Sequence, residues 1–213
     1  MAEAGKPATD VDLKAMQKKV SAGASYRKLV AAAEAGKPIC VASAGVPNEV
    51  MFAMDTYPVF PESLAAISAG IGKAAPFFEQ ARDKGYTNTV CSYTRCGLGI
   101  SWTNECAFGP IPEPDLFMTD VSVCCLHVTW WAYLEDHFKK PTFYMDMPAT
   151  DNPDEPEYID YYENQIHEMV KFVEANTKCR YDEQRLNEAV KYSDLAGHYW
   201  KQIMQLRQNR PSP

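Results

Sequence analysis

Short apolar runs alternate with helix-like stretches between residues 38 and 150, and this alternation constrains the fold more than any other feature. Each run has the length of a buried strand, and turn residues or a stretch with helical spacing follow it. The runs are residues 39–43, 57–60, a short run ending at Cys91, 116–118 and 142–145. Such an order is typical of βαβ units around a parallel sheet. The sequence therefore predicts an α/β fold with a parallel, Rossmann-like sheet flanked by helices.

Helical spacing also marks the stretches between and beyond these runs. Residues 11–35 predict two short helices with an interruption at residues 21–25. Between the runs, one helix is predicted from Pro61 to Gly85 and another over residues 123–138. Residues 148–156 are rich in Pro and Asp and predict a linker, after which two long helices are expected.

These expectations divide the chain into three parts. An N-terminal helical segment (1–37) precedes an α/β domain (38–150), and a helical segment (151–213) follows it.

Charge and hydrophobicity exclude several classes of function. The 213 residues include 28 acidic and 21 basic side chains, which gives a net charge of −7. Nucleic-acid binding needs clustered positive charge, so nucleic acid is not expected as a partner. No run approaches the roughly 20 apolar residues that span a bilayer, and the first ten residues lack the apolar core of a signal peptide. We therefore expect a cytoplasmic protein that has no membrane partner.

Cysteine content favours metal, cluster or redox chemistry. Thiols are kept reduced in the cytoplasm, where a disulfide framework is rare. Many free cysteines are simply small buried hydrophobic residues, and this interpretation is kept for each of them. The seven cysteines are Cys40, Cys91, Cys96, Cys106, Cys124, Cys125 and Cys179.

The stretch of residues 89–99 has the clearest character of a site. Cys91 and Cys96 flank the fixed positive charge of Arg95, and Gly97 and Gly99 allow the backbone to approach a neighbour closely. Ligands of parallel sheets bind beyond the carboxyl ends of the strands. Because Cys91 is predicted at such an end, the stretch predicts a thiolate-bound metal or cluster.

A second pair of candidate ligands follows the run at residues 116–118. Cys124 and Cys125 lie near a predicted helix start, where the helix dipole favours a thiolate. Neighbours on a helix point about 100° apart, so only one of the two could serve the same centre. The candidate cofactor-binding residues are therefore Cys91, Cys96, Cys124 and Cys125, with Cys91 as the metal ligand.

Other familiar catalytic patterns are missing from the sequence. The four histidines, His127, His137, His167 and His198, lie apart without metal-ligand spacing and are interpreted as structural or solvated. Neither the Gly-x-Ser-x-Gly pattern of hydrolases nor the Gly-x-Gly-x-x-Gly pattern of dinucleotide binding occurs.

Several short motifs occur in an order that resembles a known family. They are Val46-Pro47-Asn48-Glu49, Tyr57-Pro58-Val59, Cys91-Ser92-Tyr93, Pro114-Asp115-Leu116-Phe117, the pairs Cys124/Cys125 and Trp130/Trp131, and Asp146-Met147-Pro148. This order resembles the 2-hydroxyacyl-CoA dehydratase family over about residues 38–213. Phe60-Pro61-Glu62 and the residues from Cys91 to Arg95 are most similar to its benzoyl-CoA reductase branch.

The resemblance implies a cytoplasmic, oxygen-sensitive enzyme of anaerobes that acts on an acyl-CoA thioester. Such enzymes pair two paralogous subunits, hold a [4Fe–4S] cluster on three cysteines, and accept low-potential electrons from an ATP-dependent activator or ferredoxin-type donor. By residue matching, Cys91 corresponds to one cluster ligand. The chain would be the first half of one subunit and inactive alone.

The sequence also departs from the family pattern. An earlier cysteine ligand is expected within residues 62–68, where this chain has none and Ser68 stands at about that place. The resemblance implies that the last ligand belongs to a second α/β domain, towards which residues 151–213 would lead and which this sequence does not contain. Two alternatives therefore stay open: a cluster-free binding or scaffold subunit, and a double-cubane reductase relative that acts on small molecules.

Overall fold

The computed structural model describes residues 21–147, 152 and 154–210. Its strands are β1 (Ile39–Ala42), β2 (Tyr57–Val59), β3 (Glu105–Cys106), β4 (Gly109–Pro110), β5 (Leu116–Asp120) and β6 (Thr142–Met145). Its helices are α1 (Ala22–Glu34), α2 (Asn48–Ala53), α3 (Pro61–Gly70), α4 (Ala75–Asp83), α5 (Ser92–Thr103), α6 (Cys125–Phe138), α7 (Pro156–Asn176) and α8 (Glu183–Leu206).

The central sheet has four parallel strands in the order β2-β1-β5-β6. Each strand is short and apolar because both faces of the sheet are covered by helices. β3 and β4 form a separate antiparallel pair. The predicted α/β fold, with a parallel sheet flanked by helices, is confirmed.

Alternate residues of β1 and β5 face opposite helical layers, as the period of a strand requires. Cys40, Ala42, Leu116 and Met118 form one core cluster with buried residues of α2 and α7. On the other face, Phe117 packs with α5 and α6, and Ile39 packs with α1. The sheet is thus the middle of three layers.

Two helix predictions need correction. The helix expected from Pro61 to Gly85 is two helices, because Gly72 has a φ of +73° and a right-handed helix does not continue through that conformation. The interruption expected at residues 21–25 is limited to Ser21 in the described part of the chain, because α1 begins at Ala22. Ser21 caps α1, and its Oγ accepts a 3.3 Å hydrogen bond from the Ala24 N–H. The helix predicted before it, and the boundary at residues 150/151, lie outside the described residues.

The prediction of a strand that ends at Cys91 is also wrong. Residues 88–90 form a turn that Arg95 holds by two hydrogen bonds. Arg95 Nε donates to the Val90 carbonyl at 3.1 Å, and Arg95 Nη1 donates to Asn88 Oδ1 at 2.8 Å. Cys91 is the N-cap residue of α5, and the predicted site loop of residues 91–99 is helical. The apolar residues of this stretch are buried as part of a helix that packs on the sheet and on neighbouring helices, and they are not part of a strand.

The first half of α8 lies along α2, and residues from Arg185 to Ser193 share a groove with Asn48 and Phe52. Arg185 Nη2 lies 2.7 Å from Asp55 Oδ1, which also binds Lys37 Nζ at 2.6 Å. None of the 24 residues of α8, all within the described part of the chain, is buried. Its exposed large apolar side chains are Val190, Tyr192, Leu195, Tyr199, Trp200, Ile203, Met204 and Leu206.

No helix among the described residues is both long and apolar enough to cross a bilayer.

Candidate functional site

Parallel strands place the loops that follow them at one edge of the sheet, here termed the carboxyl edge. The loop after β1 and the start of α3 meet there with the loop between β5 and α6. In parallel α/β sheets this edge is where ligands bind. The described side chains at this edge are therefore the candidate site.

Hydrogen bonds hold the β1 and β5 loops against each other. Ser43 Oγ accepts from the Asp120 N–H at 2.9 Å, and Asp120 Oδ1 accepts from both the N–H and the Oγ of Ser122 at 2.6 Å. Gly45 lies directly on the Asp120 carboxylate, where an added Cβ would be 2.5 Å from Oδ2. The edge is therefore a preorganised surface with a required glycine.

Glu62 and His127 meet across this edge. Glu62 lies in the first turn of α3 and His127 in the first turn of α6. Glu62 Oε1 accepts a long, 3.4 Å hydrogen bond from the Ala44 N–H and lies 3.4 Å from His127 Nε2. Their side chains are only 16% and 12% exposed. Burial raises the pKa of the Glu62 carboxyl group, while the nearby backbone amides and His127 act in the opposite direction.

Three buried polar atoms around this pair have no hydrogen-bond partner among the described residues. They are Glu62 Oε2, His127 Nδ1 and Trp130 Nε1. The imidazole ring lies near two indoles, with its centroid 6.3 Å from that of Trp130 and 5.4 Å from that of Trp131. Buried polar groups are normally paired, so unpaired atoms in one place indicate a site with a further role.

Two of the predicted thiol positions lie at the same end of two neighbouring helices. The Gly97 backbone of α5 packs against the Trp130 indole of α6, and Trp102 Nε1 donates to Tyr133 Oη at 3.1 Å. The later residue of α5 contacts the later residue of α6 in these two contacts, so α5 and α6 run in the same direction. Cys91 and Cys124, their N-cap residues, therefore lie at the same end.

Exposure separates the candidate thiols. Cys91 and Cys125 are exposed and Cys124 is half-buried. Cys96 is buried in an apolar cluster with Ala65 and Phe77, and burial raises the pKa of its thiol to about 11. The structure thus brings Cys91 and the Cys124/Cys125 pair to one end, and it places Cys96 within the core.

The described residues do not complete the donor set of an iron–sulfur cluster. Such a cluster needs several convergent thiolates. Within residues 21–147, 152 and 154–210, no three His, Cys, Asp or Glu side chains lie close enough together to hold a metal ion. Ser68, at the place where a cysteine was expected, is fully buried, and its hydroxyl finds no partner among those residues. Cys91 can supply only one ligand.

The interpretation of sequence motifs missed the pairing of Glu62 with His127. His127 lies only two positions after Cys125, at the start of a helix that follows a buried strand, and Glu62 has the equivalent position after β2. Polar residues just after two strands of a parallel sheet were the available signal.

Comparison with known proteins identifies the family. The sequence profile described as "2-hydroxyglutaryl-CoA dehydratase, D-component" matches residues 43–213. The chain is 27% identical to the (R)-phenyllactyl-CoA dehydratase alpha subunit of Clostridium sporogenes, over 78% of this chain and 41% of that protein. It is 27% identical to the (R)-2-hydroxyisocaproyl-CoA dehydratase alpha subunit of Clostridioides difficile, over 88% and 47%.

A third relative is a reductase. A subunit of the benzoyl-CoA reductase of Thauera aromatica is 26% identical over 92% of this chain and 46% of its own length. The chain therefore spans less than half the length of each of these three relatives. The family resemblance expected from the motifs is confirmed, since the profile covers most of the chain, including three of the four strands of the sheet and the loops of the carboxyl edge. The chain belongs to the 2-hydroxyglutaryl-CoA dehydratase D-component family.

Proposed function

We propose that this chain is part of one subunit of an enzyme complex that acts on an acyl-CoA thioester, as a 2-hydroxyacyl-CoA dehydratase or a benzoyl-CoA reductase does. The observation that carries the proposal is the family match, which includes the helix starts where Cys91, Cys124, Glu62 and His127 lie. The relatives are named as subunits of acyl-CoA enzymes. We propose a paralogous subunit as partner, a cytoplasmic location, and no activity of this chain alone.

We further propose that Cys91 supplies one thiolate to a [4Fe–4S] cluster. Its exposure at the start of α5 supports this role, since iron and ligands from elsewhere can reach an exposed thiol. The remaining ligands would come from residues outside the described part of the chain. When bound, the cluster would supply low-potential electron transfer, with an ATP-dependent activator or ferredoxin-type protein as donor.

The residues of this chain would bind and orient the acyl-CoA. The loops after β1 and β5 are joined by the hydrogen bond between Ser43 and Asp120, so they form a rigid surface on which the substrate can lie. The indoles of Trp130 and Trp131 are buried beneath it and exclude water from the lower part of the site. A rigid, partly dry edge strengthens the electrostatic interactions of any group held there.

Anaerobic purification of the chain with its partner subunit tests this function. We expect acyl-CoA consumption in the presence of a low-potential reductant, together with iron, sulfide and a reducible visible spectrum. Cys91→Ser should remove that spectrum. Cys179→Ser is the matched control. Cys179 lies between α7 and α8 and packs against the core cluster that contains Cys40 and Met118, away from Cys91. An active, iron-free complex would disprove the cluster and leave the family assignment intact.

A second candidate is a cluster-free binding or scaffold subunit. It is favoured by the absence of a three-donor group within the described ranges and by Ser68 in place of a cysteine. This candidate predicts acyl-CoA or partner binding with no iron. The iron content of the complex under nitrogen separates the two candidates.

A further inference from the structure

We propose that His127 positions the carboxyl group of Glu62, and that Glu62 Oε2 exchanges a proton with an acyl-CoA thioester bound at the carboxyl edge. The inference rests on the proposed function, because it assigns this substrate to the same edge. It adds a role for two residues that belong to neither the thiol set nor the hydrogen-bonded loops.

The two oxygens of Glu62 have different surroundings. Oε1 faces the Ala44 N–H and His127 Nε2, each at 3.4 Å, whereas Oε2 is buried and has no partner among the described residues. Contacts from two directions to one oxygen fix the plane of the carboxyl group, so the other oxygen points in a defined direction. Both residues lie in first turns of helices that follow strands of the sheet, which is a rigid support.

Packing holds the imidazole as firmly as it holds the carboxyl group. Trp131 lies against the ring and its Nε1 donates to the Val41 carbonyl at 3.4 Å, which ties this indole to the sheet. On the other side, Trp130 is seated on the backbone of Gly97. A neutral imidazole that donates from Nε2 to Glu62 keeps Nδ1 as an acceptor.

A purely structural pair would be built differently. Buried ion pairs stabilise a fold only when their remaining polar atoms are also satisfied. Here Glu62 Oε2, His127 Nδ1 and the neighbouring Trp130 Nε1 are all buried and unpaired among the described residues. The cluster therefore weakens the fold locally, as expected for atoms that pair with a substrate or a water molecule.

The proton step is simple and balanced. The O–H bond at Glu62 Oε2 breaks as an O–H bond forms on a hydroxyl or carbonyl oxygen of the acyl group. The step transfers a proton only, with no oxidation or reduction. The Ala44 N–H and His127 Nε2 stabilise the carboxylate that remains, and water returns the proton afterwards. Burial raises the pKa of Glu62, which brings the acid closer to working pH.

Steady-state kinetics of the assembled complex test the inference. Glu62→Gln should lower kcat about 100-fold or more, the usual size of a general acid–base contribution. His127→Leu should lower kcat about 10-fold or more, with KM within about twofold, because Glu62 stays present but loses its fixed direction. His137→Leu is the matched control on the last turn of the same helix, and it should change neither constant.

Two amide variants separate positioning from packing. His127→Gln places a donor near the former Nε2 and should recover most of kcat, whereas His127→Asn places one near Nδ1 and should not. Unchanged kcat in His127→Leu, or equal kcat in the Gln and Asn variants, overturns the positioning role. This comparison still decides the matter if His127→Leu fails to fold.

A readout that is independent of turnover separates this inference from the proposed function. Carbon-13 NMR of labelled glutamate reports the pKa of Glu62, which should rise in His127→Leu because a stabilising donor is lost. An unchanged pKa contradicts the pairing. A wild-type complex that consumes no acyl-CoA, but shows the expected NMR change, contradicts the proposed function and the substrate assignment while it supports the pairing.

Discussion

Gly97 and Gly99 lie inside α5, where glycine is less favourable than alanine by up to about 1 kcal/mol. Both are required by close packing. The Trp130 indole covers Gly97, and the Phe77 carbonyl of α4 covers Gly99. The sequence predicted a close backbone approach at these glycines, and the neighbours are a side chain and a helix of the same chain. Only the folded structure identifies such a neighbour, because it comes from a distant part of the sequence.

Gly97→Ala should therefore destabilise the protein. The added Cβ would overlap the Trp130 indole, and overpacking of this kind costs about 1–3 kcal/mol. Urea denaturation followed by circular dichroism measures the change. Gly70→Ala is the control, because that position has open space around it and should be neutral or slightly stabilising. Equal effects of the two substitutions would contradict the packing account.

Thiol reactivity should follow exposure. Cys91 and Cys125 are exposed and should react with iodoacetamide within minutes at pH 8, as read by mass spectrometry. Cys40 and Cys96 should react only on unfolding, because both are buried and burial raises the pKa of each thiol. Rapid labelling of Cys96 in the folded protein would place it outside the core.

At the scale of elements, buried parallel strands were the most predictable feature. β6 was predicted with its observed bounds, and β1 and β2 each end one residue before the prediction. The same rule failed at Cys91, where two glycines and a preceding apolar run concealed the start of α5. Packing against Trp130 and Phe77 overrides the low helix propensity of that stretch, and spacing along the chain contains no information about such partners.

Asp55 joins α8 to the α/β core, and its charge should make that joint pH-dependent. Hydrogen bonds from Lys37 and then Arg185 hold the pKa of Asp55 below its usual range. A lowered folded-state pKa stabilises the fold above the unfolded pKa of about 4, and this contribution disappears as pH falls through the folded value.

Asp55→Asn should therefore reduce stability near neutral pH and have little effect at pH about 2. Because Asp55 is 44% exposed, solvent screening limits the loss to about 0.5–1 kcal/mol. Asparagine tolerates the positive φ of 56° at this position, so the backbone is preserved. Denaturant unfolding at both pH values measures the effect. Asp136→Asn, which removes only a local pair with Lys139, serves as the control. A loss that is the same at both pH values would exclude the charge as its cause.

At the scale of the whole molecule, the apolar face of α8 is the largest departure from a self-sufficient fold. Trp200 is 62% exposed in the structure, and its apolar neighbours recur at helical spacing. Contiguous exposed apolar surface of this kind drives association. The sequence predicted a long helix here, but helical spacing does not reveal whether an apolar face is covered.

The chain alone should consequently self-associate. Sedimentation velocity at tens of micromolar should show concentration-dependent oligomers, which Ile203→Glu should reduce because it places a charge within the apolar face. Gln205→Glu introduces the same change in charge two residues away at a polar position and should leave association unchanged. Association that responds equally to both substitutions would show that net charge, and not the apolar face, governs it.

The Asp55 carboxylate, which binds both Lys37 and Arg185, also makes α8 resemble a lever that is held near one end. Asp55 is the point at which the helix is held. Asp55 precedes β2, just as Lys37 precedes β1. The point at which α8 is held therefore lies at the edge of the sheet where the parallel strands begin. Beyond Arg185 the helix continues for about 30 Å, at 1.5 Å per residue. A load on its far end would be passed to its packing against α2 and to the Asp55–Arg185 ion pair.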